Sequence, residues 1–354
     1  MKCLFILLFF SITVFLKKET IAEGLNGQKE TPKEIIILQI NIWQEGTMVP
    51  GGFDAIVNEI VRSNADFVTL SEVRNYKDVD FTNRLVNALK QKGLTYYSFL
   101  TYDSGVLSKY KIREHKAVYP LANDHGTIYK LVTMIGDQRI AVYTAHLDYT
   151  NYACYLPRGY DGLTWKKLPA PIIDTLKIKE MNTASYRDDE IKIFIEDTDD
   201  EIAKGSFVFL GGDFNEPSWM DWTEETKDLY DHHDVVYHWD VSMLLHNAGF
   251  IDSYRHVHPS AVTHPGFTYP ASNKDANISL LTWAPKADER ERIDFIYYYP
   301  NKKLQLQTSK ILGPESSIVR GERKKEETLD SFITPLGVWP TDHKAVLSTF
   351  IFNP

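Results

Sequence analysis

Cysteine is nearly absent: only Cys3 and Cys154 occur in 354 residues. Cys3 falls in a leader expected to be removed, so the mature chain can form no internal disulfide. Cys154 has no His-containing nucleophile motif beside it, which places it among packed side chains rather than catalytic ones. No Pro/Gly/Ser-rich linker and no internal repeat divides the chain, so one large domain is expected. Positive charge is also scarce, with 39 Lys and Arg against 48 Asp and Glu and a formal charge of -9. That balance argues against a broad grip on a polyanion, which needs clustered cations to displace counterions, although a local basic patch would override it. The apolar run over residues 4–16 falls short of the ~20 residues of a comfortable membrane span.

That run follows Met1-Lys2 and precedes Thr20-Ile21-Ala22, a small-x-small pattern of the kind cut by signal peptidase. The expected organisation is a signal peptide over 1–22, an extension over 23–34 and a single catalytic domain over 35–354. The product would then be secreted or periplasmic. A retained signal anchor is the alternative, because Lys17 and Lys18 directly follow the apolar run.

What the sequence does contain is a series of short apolar runs rich in β-branched and aromatic residues, at 35–40, 67–70, 140–144, 207–210, 295–299 and 345–350. They read as strands buried on both faces. Phe53, Ile56, Val57, Ile60 and Val61 recur at helical spacing between the first two runs, as do Phe81, Leu85, Val86 and Leu89 further on, and Ile191, Phe194 and Ile195 ahead of 207. Strand-helix-strand order repeated in this way predicts an α/β layered fold. Residues 151–168 and 219–269 break the rhythm and read as loops or short helices over one rim.

Polar residues cluster at the strand ends. Asn41 ends the first run, Glu72 follows the second, His146 ends the third, and Asp213 with Asn215 closes the fourth. Asp294 opens the fifth, and Asp342-His343 precedes the last. If those ends share one rim, carboxylates, amides and imidazoles surround one pocket. Such donors suit a hard cation, Mg²⁺ or Mn²⁺. Zinc fits less well, since neither His-Glu-x-x-His nor paired cysteines occur.

Seven segments carry a family resemblance: Gln39-Ile40-Asn41-Ile42-Trp43, Leu70-Ser71-Glu72-Val73, Ser104-Gly105-Val106-Leu107-Ser108-Lys109, Thr144-Ala145-His146-Leu147, Gly211-Gly212-Asp213-Phe214-Asn215, Arg292-Ile293-Asp294-Phe295-Ile296 and Thr341-Asp342-His343. In this order they resemble the signature of the endonuclease/exonuclease/phosphatase superfamily over nearly all of residues 35–350. The resemblance implies a four-layer α/β/β/α sandwich of two packed mixed sheets flanked by helices, with the active site at one edge. It further implies that Asn41 and Glu72 hold the metal with Asp342 nearby, and that Asp213 orients and deprotonates the attacking water. Asn215 would contact phosphoryl oxygens, His146 and His343 would stabilise the transition state or leaving group, and Asp294 would orient His343. The chemistry agrees, since phosphoryl transfer is promoted mainly by positioning and by donors aimed at the equatorial oxygens.

Taken singly, each of these residues has an ordinary reading as a turn, surface or core residue; their value lies in the ordered set. Arg158, Tyr160 and Trp165 are candidates for substrate contact, with aromatic packing of a long loop as the alternative. Arg320, Arg323, Lys324 and Lys325 read as a solvated loop interleaved with Glu322, Glu326 and Glu327 rather than as a phosphate clamp. His232, His233, His238, His246, His256, His258 and His264 match no metal spacing. Asn277-Ile278-Ser279 is a glycosylation sequon by pattern. The substrate, a nucleic acid, a phospholipid headgroup or a small phosphoester, stays open at this point; a lipid would call for an exposed apolar patch, for which Trp219, Trp222 and Trp239 are candidates. A monomer is expected, and a secreted binding module that keeps the fold without turnover is the competing function.

Overall fold

The elements that position the site come from those apolar runs, in a computed structural model that describes residues 32–121 and 125–353. The expected leader and residues 23–31 of the extension lie outside the described residues. In chain order the elements are β1 (Lys33–Asn41), α1 (Gly52–Ser63), β2 (Phe67–Val73), α2 (Phe81–Gln91), β3 (Asp103–Ser108), β4 (Glu114–Tyr119), β5 (Thr127–Ile135), β6 (Gln138–His146), α3 (Thr175–Asn182) and α4 (Arg187–Ala203). There follow β7 (Phe207–Asp213), α5 (Asp240–Asn247), β8 (Ile251–Asp252), α6 (Ser253–Val257), β9 (Asp294–Tyr298), β10 (Leu304–Leu312), β11 (Ser316–Val319), β12 (Glu322–Lys325), β13 (Phe332–Ile333) and β14 (Ala345–Phe352). The six anticipated strands are β1, β2, β6, β7, β9 and β14, and the three anticipated helices are α1, α2 and α4.

Two six-stranded mixed sheets form, in the orders β13-β10-β14-β1-β2-β3 and β4-β5-β6-β7-β9-β8. Alternation along each strand decides what lies between them. Ile35 and Ile37 of β1, Phe67 of β2, Ile140 and Val142 of β6, Phe207 and Phe209 of β7, and Ile296 of β9 share one apolar cluster with Val346 and Phe350 of β14. The alternate residues pack outward: Leu38, Ile40, Val68 and Leu70 meet Ile56 and Ile60 of α1 and Leu85 of α2. On the other side, Ala141, Tyr143, Val208 and Leu210 meet Ile191 and Phe194 of α4 and Leu245 of α5. The chain is therefore a four-layer α/β/β/α sandwich.

Followed toward the C-terminal ends of β1, β2, β6 and β7, the inward face turns from apolar to polar. In β1 the inward series continues as Gln39 and Asn41, in β2 as Thr69 and Ser71, in β6 as Thr144 and His146, and in β7 as Gly211 and Asp213. Glycine is required at 211, where a Cβ would come within 2.2 Å of Thr69 Oγ1 in the facing sheet. The sandwich thus ends in a buried polar layer, tied by Thr69 Oγ1 to Gln39 Oε1 at 2.6 Å and Ser71 Oγ to Ala145 O at 3.1 Å.

Residues 151–168 form a loop with one short 3₁₀ turn, whereas 219–269 carry α5, α6 and β8. The two insertions share a small core of their own, in which Tyr152, Tyr155 and Tyr160 pack with Trp222, Trp239 and Tyr269. The basic residues of 320–325 belong to the hairpin of β11 and β12 rather than to a loop. Arg320 pairs with Asp231 at 2.6 Å, Lys324 with Glu322 at 3.1 Å and Lys325 with Glu315 at 3.0 Å, while Glu326 is buried. The hairpin register arises from backbone pairing that charge pattern alone does not reveal.

Candidate active site

Strand register sets the first rung of the site. His146 pairs with Asp213 across the parallel β6 and β7, and Asp213 pairs with Asp294 across β7 and β9, so three functional side chains stand side by side on one sheet. The facing sheet contributes Asn41, whose Nδ2 donates to Asp213 Oδ2 at 2.9 Å and to Glu72 Oε1 at 3.1 Å. Glu72 would turn toward the outer helices if β2 alternated without interruption. A bulge between Ser71 and Val73, with Glu72 at φ 69°, brings its carboxylate to the cleft instead.

The loop after β1 is held in an unusual conformation. Trp43, Gln44, Glu45 and Gly46 all have positive φ, from 41° to 70°, a strained run that persists only where its surroundings fix it. Here Trp43 N donates to Asn41 Oδ1 at 2.8 Å and Gln44 N to Glu72 Oε2 at 2.8 Å. The buried Glu45 carboxylate accepts from Arg74 N at 2.9 Å and Asn75 N at 2.6 Å, which clamps this loop to the one after β2.

Two histidines face Asp213 from opposite sides. His146 Nε2 lies 3.9 Å and His343 Nε2 3.8 Å from Asp213 Oδ2. Each ring is oriented through its other nitrogen, His146 Nδ1 by Asp103 Oδ1 at 2.9 Å and His343 Nδ1 by Asp294 Oδ2 at 2.8 Å. Burial works to lower both imidazole pKa values, but the neighbouring carboxylates win. Asp103, with Asp213 and Glu72 behind it, raises His146 to about 9; Asp294 and Asp213 raise His343 to about 10. Burial lifts the Asp213 carboxyl above its ordinary value against the opposing charge of His343. Asp342 is pushed to about 7, first by burial and then, against the pull of His343, by the charge of Glu72.

Among the described residues, Asp213, Asp294 and His343 form a grouping tight enough to share an ion. Two of its three members are already hydrogen-bonded to each other. The half-buried Glu72 carboxylate and the buried Asp342 carboxylate repel one another, an arrangement that a divalent cation would relieve. All-oxygen donors of this kind fit a hard divalent metal.

The cleft has a volume of about 300 Å³ and brings Glu72, His146, Asp213, Asn215, Asp342 and His343 together. Asn41 and Asp294 stand directly behind it. Asn215, at φ 49°, donates its backbone N–H to Asp213 Oδ1 at 2.9 Å and its Nδ2 to Leu147 O at 2.9 Å.

Arg158 and Tyr160 do not belong to the cleft, contrary to the expectation that they touch substrate. The Arg158 guanidinium is fully buried, ion-paired with Glu291 at 2.7 Å, and donates to the carbonyls of Asp288 and Cys154 at 2.7 and 3.1 Å. The Tyr160 hydroxyl accepts from Lys286 N at 3.1 Å. Both side chains tie the insertion after β6 to the segment before β9, the aromatic-loop packing that their residue types equally suit. Trp165 does line the cleft. Trp222 and Trp239 are wholly buried and form no exposed patch. His232, buried and stacked on Trp222 at 3.8 Å between centroids, is part of the insertion core. The Cys154 thiol is likewise buried, which raises its pKa and leaves it inert.

Sequence reasoning missed Asp103, Gln39, Glu45, Tyr269 and Trp283. Asp103 had a usable signal, a carboxylate that opens a buried strand. Trp283 had none, because its segment shows no periodicity.

A sequence model described as "Endonuclease/Exonuclease/phosphatase family" matches residues 38–343. An uncharacterized protein of Caenorhabditis elegans is 27% identical over 274 residues, 76% of this chain and 79% of that protein. Among solved structures, a humanized D. rerio TDP2 carrying 14 mutations superposes with a TM-score of 0.51 at 15% identity, covering 90% of this chain and 98% of that one. Truncated Caenorhabditis elegans TDP2 gives 0.50 at 18% identity, covering 90% and 97%. These two structures support the shared fold.

Proposed function

The chain belongs to the Endonuclease/Exonuclease/phosphatase family, and on that premise we propose that it is an exported, divalent-metal-dependent hydrolase of phosphate esters. Asn41, Glu72 and Asp342 would hold Mg²⁺ or Mn²⁺, which when bound supplies Lewis-acid stabilisation of charge on the phosphoryl oxygens. Asp213 takes the proton of the attacking water, its carboxylate held in place by Asn41 Nδ2 and the Asn215 backbone N–H. Asn215 Nδ2 gives one hydrogen to Leu147 O and keeps the second for a phosphoryl oxygen. His146 and His343, oriented by Asp103 and Asp294, donate from Nε2 to the oxygens that gain charge in the transition state.

The observation that carries this reading is the position of Asp213 Oδ2, less than 4 Å from two imidazole Nε2 atoms and bonded to the amide that also reaches Glu72. A proton acceptor, two cationic donors and candidate metal ligands thus meet at one point. The test is hydrolysis of a panel of phosphate mono- and diesters by the purified protein, with chelator and with Mg²⁺ or Mn²⁺ restored. Chelation should abolish turnover, and Asp213→Asn or His343→Gln should each lower kcat by roughly 10²–10⁴-fold. Wild-type rates in both variants would overturn the assignment, and binding of Mg²⁺ without turnover on any ester would favour a non-catalytic module. Export rests on the basic start and the apolar run at 4–16. Mass spectrometry of the natural product should find it beginning at Glu23; a membrane-bound chain retaining Met1 would refute cleavage.

A further inference from the structure

Part of the cleft lining comes from the segments between strands rather than from strand ends. Tyr152, Tyr155 and Trp165 come from the loop after β6, and Tyr269 and Trp283 from the segment before β9, all lining the same cavity as the polar set. Trp283 is 53% exposed, while Leu281 and Ala284 on either side of it are wholly buried in separate clusters. Its backbone is pinned as well. The buried Glu289 carboxylate accepts from Trp283 N at 3.1 Å, Ala284 N at 2.9 Å and the Tyr155 hydroxyl at 2.5 Å, and also from Thr282.

With its backbone fixed, Trp283 has only its two side-chain torsions left to lose on binding. Its neighbour Trp165 lies 5.6 Å away, tilted by 39°. That spacing leaves no room for a ring between the two indoles, so a planar group would lie on the open face of Trp283. Deeper in the same wall, Tyr152 and Tyr269 are at least 95% buried, with their hydroxyls closed off from the cleft beside the Cys154 thiol and the Tyr155 hydroxyl respectively. Fixed cations are sparse: among the described residues Arg74 alone of the Lys and Arg lines the cavity, and it is paired with Asp103 at 2.9 Å.

We infer that the enzyme is selective for a compact phosphoester bearing a planar aromatic ring, which lies against Trp283. This rests on the phosphoester reading above. A polyanion is disfavoured by the already paired Arg74, and a cleft of about 300 Å³ matches a small ligand.

The test uses three diesters that share hexafluoroisopropanol, a non-aromatic leaving group whose release is followed by fluorine NMR, and carry phenyl, methyl or choline on the other oxygen, assayed on the mature protein with Mg²⁺. The phenyl ester should show a KM about tenfold below that of the methyl ester, the size of a single ring-stacking gain. In Trp283→Ala the ratio of the two kcat/KM values should fall close to one, whereas Leu336→Ala, on a remote surface, should leave it as in the wild type. Preference for the choline ester would identify an ammonium cage instead, and an unchanged ratio in Trp283→Ala would remove the indole from recognition. Binding of phenyl phosphate and methyl phosphate is measured in parallel by calorimetry. Tighter binding of phenyl phosphate, lost in Trp283→Ala, would uphold ring recognition even if all three esters resisted hydrolysis; equal binding would end it. Inertness on every ester counts against the hydrolase assignment alone.

Discussion

Asp103 stands at φ 64° with its carboxylate shared between His146 Nδ1 and Arg74, both at 2.9 Å. It fixes the tautomer and direction of the His146 imidazole, the group proposed to meet the phosphoryl oxygens. Asp103→Asn should therefore lower kcat by roughly 10–100-fold with little change in KM. A purely structural role would instead lower the melting temperature and leave kcat per folded molecule unaltered. Arg158 offers the opposite case. Removing its guanidinium strands Glu291 in the protein interior, so Arg158→Ala should destabilise the fold by about 3–5 kcal/mol. Urea unfolding measures this, and a loss below about 1 kcal/mol would contradict the account of its surroundings. Both residues are charged and buried; what separates them is which partner each one holds.

Among the elements, β7 bears the heaviest constraint, because it runs through the middle of its sheet and must also let the facing sheet approach. Gly211 makes that approach possible at Thr69. Gly211→Ala should cost about 1–3 kcal/mol through overpacking. Thr69→Ala in the same chain should recover part of it, since the clashing Oγ1 is then gone. Gly337, with no atom within 4 Å of an added Cβ, is the control, and Gly337→Ala should stay within about 0.5 kcal/mol of the parent. Equal effects at the two glycines would refute the close-approach explanation. The bulge in β2 is the complementary device: one irregular residue, Glu72, turns a carboxylate that would have faced α1 and α2 into the cleft.

For the molecule as a whole, the polar layer at the end of the sandwich concentrates carboxylates against the apolar core, so that core and the proposed cation site share one boundary. A cation bound by the folded state alone must stabilise it, by about 2.7 kcal/mol at a hundredfold excess over its dissociation constant. Mg²⁺ should raise the thermal midpoint by several degrees, and Glu72→Gln should abolish that increment. An undiminished increment in Glu72→Gln would place the ion elsewhere. The insertions act at the same scale: they add a second aromatic core beside the sandwich and close one side of the cleft with it.

Local sequence determined the strands of alternating or continuous apolar residues, the amphipathic α1 and α2, and the polar residues that end those strands, because side-chain period and burial are properties of neighbouring positions. It likewise carried the ordered motifs from Asn41 to His343. Tertiary structure alone decided that Asp103 serves His146, that Glu45 ties two loops together, and that Arg158 is a buried girder and not a substrate contact. It alone set Trp283 on the lip of the cleft. Those partnerships join residues from 29 to 130 positions apart, and no local pattern records which distant groups a folded chain will bring within 3 Å.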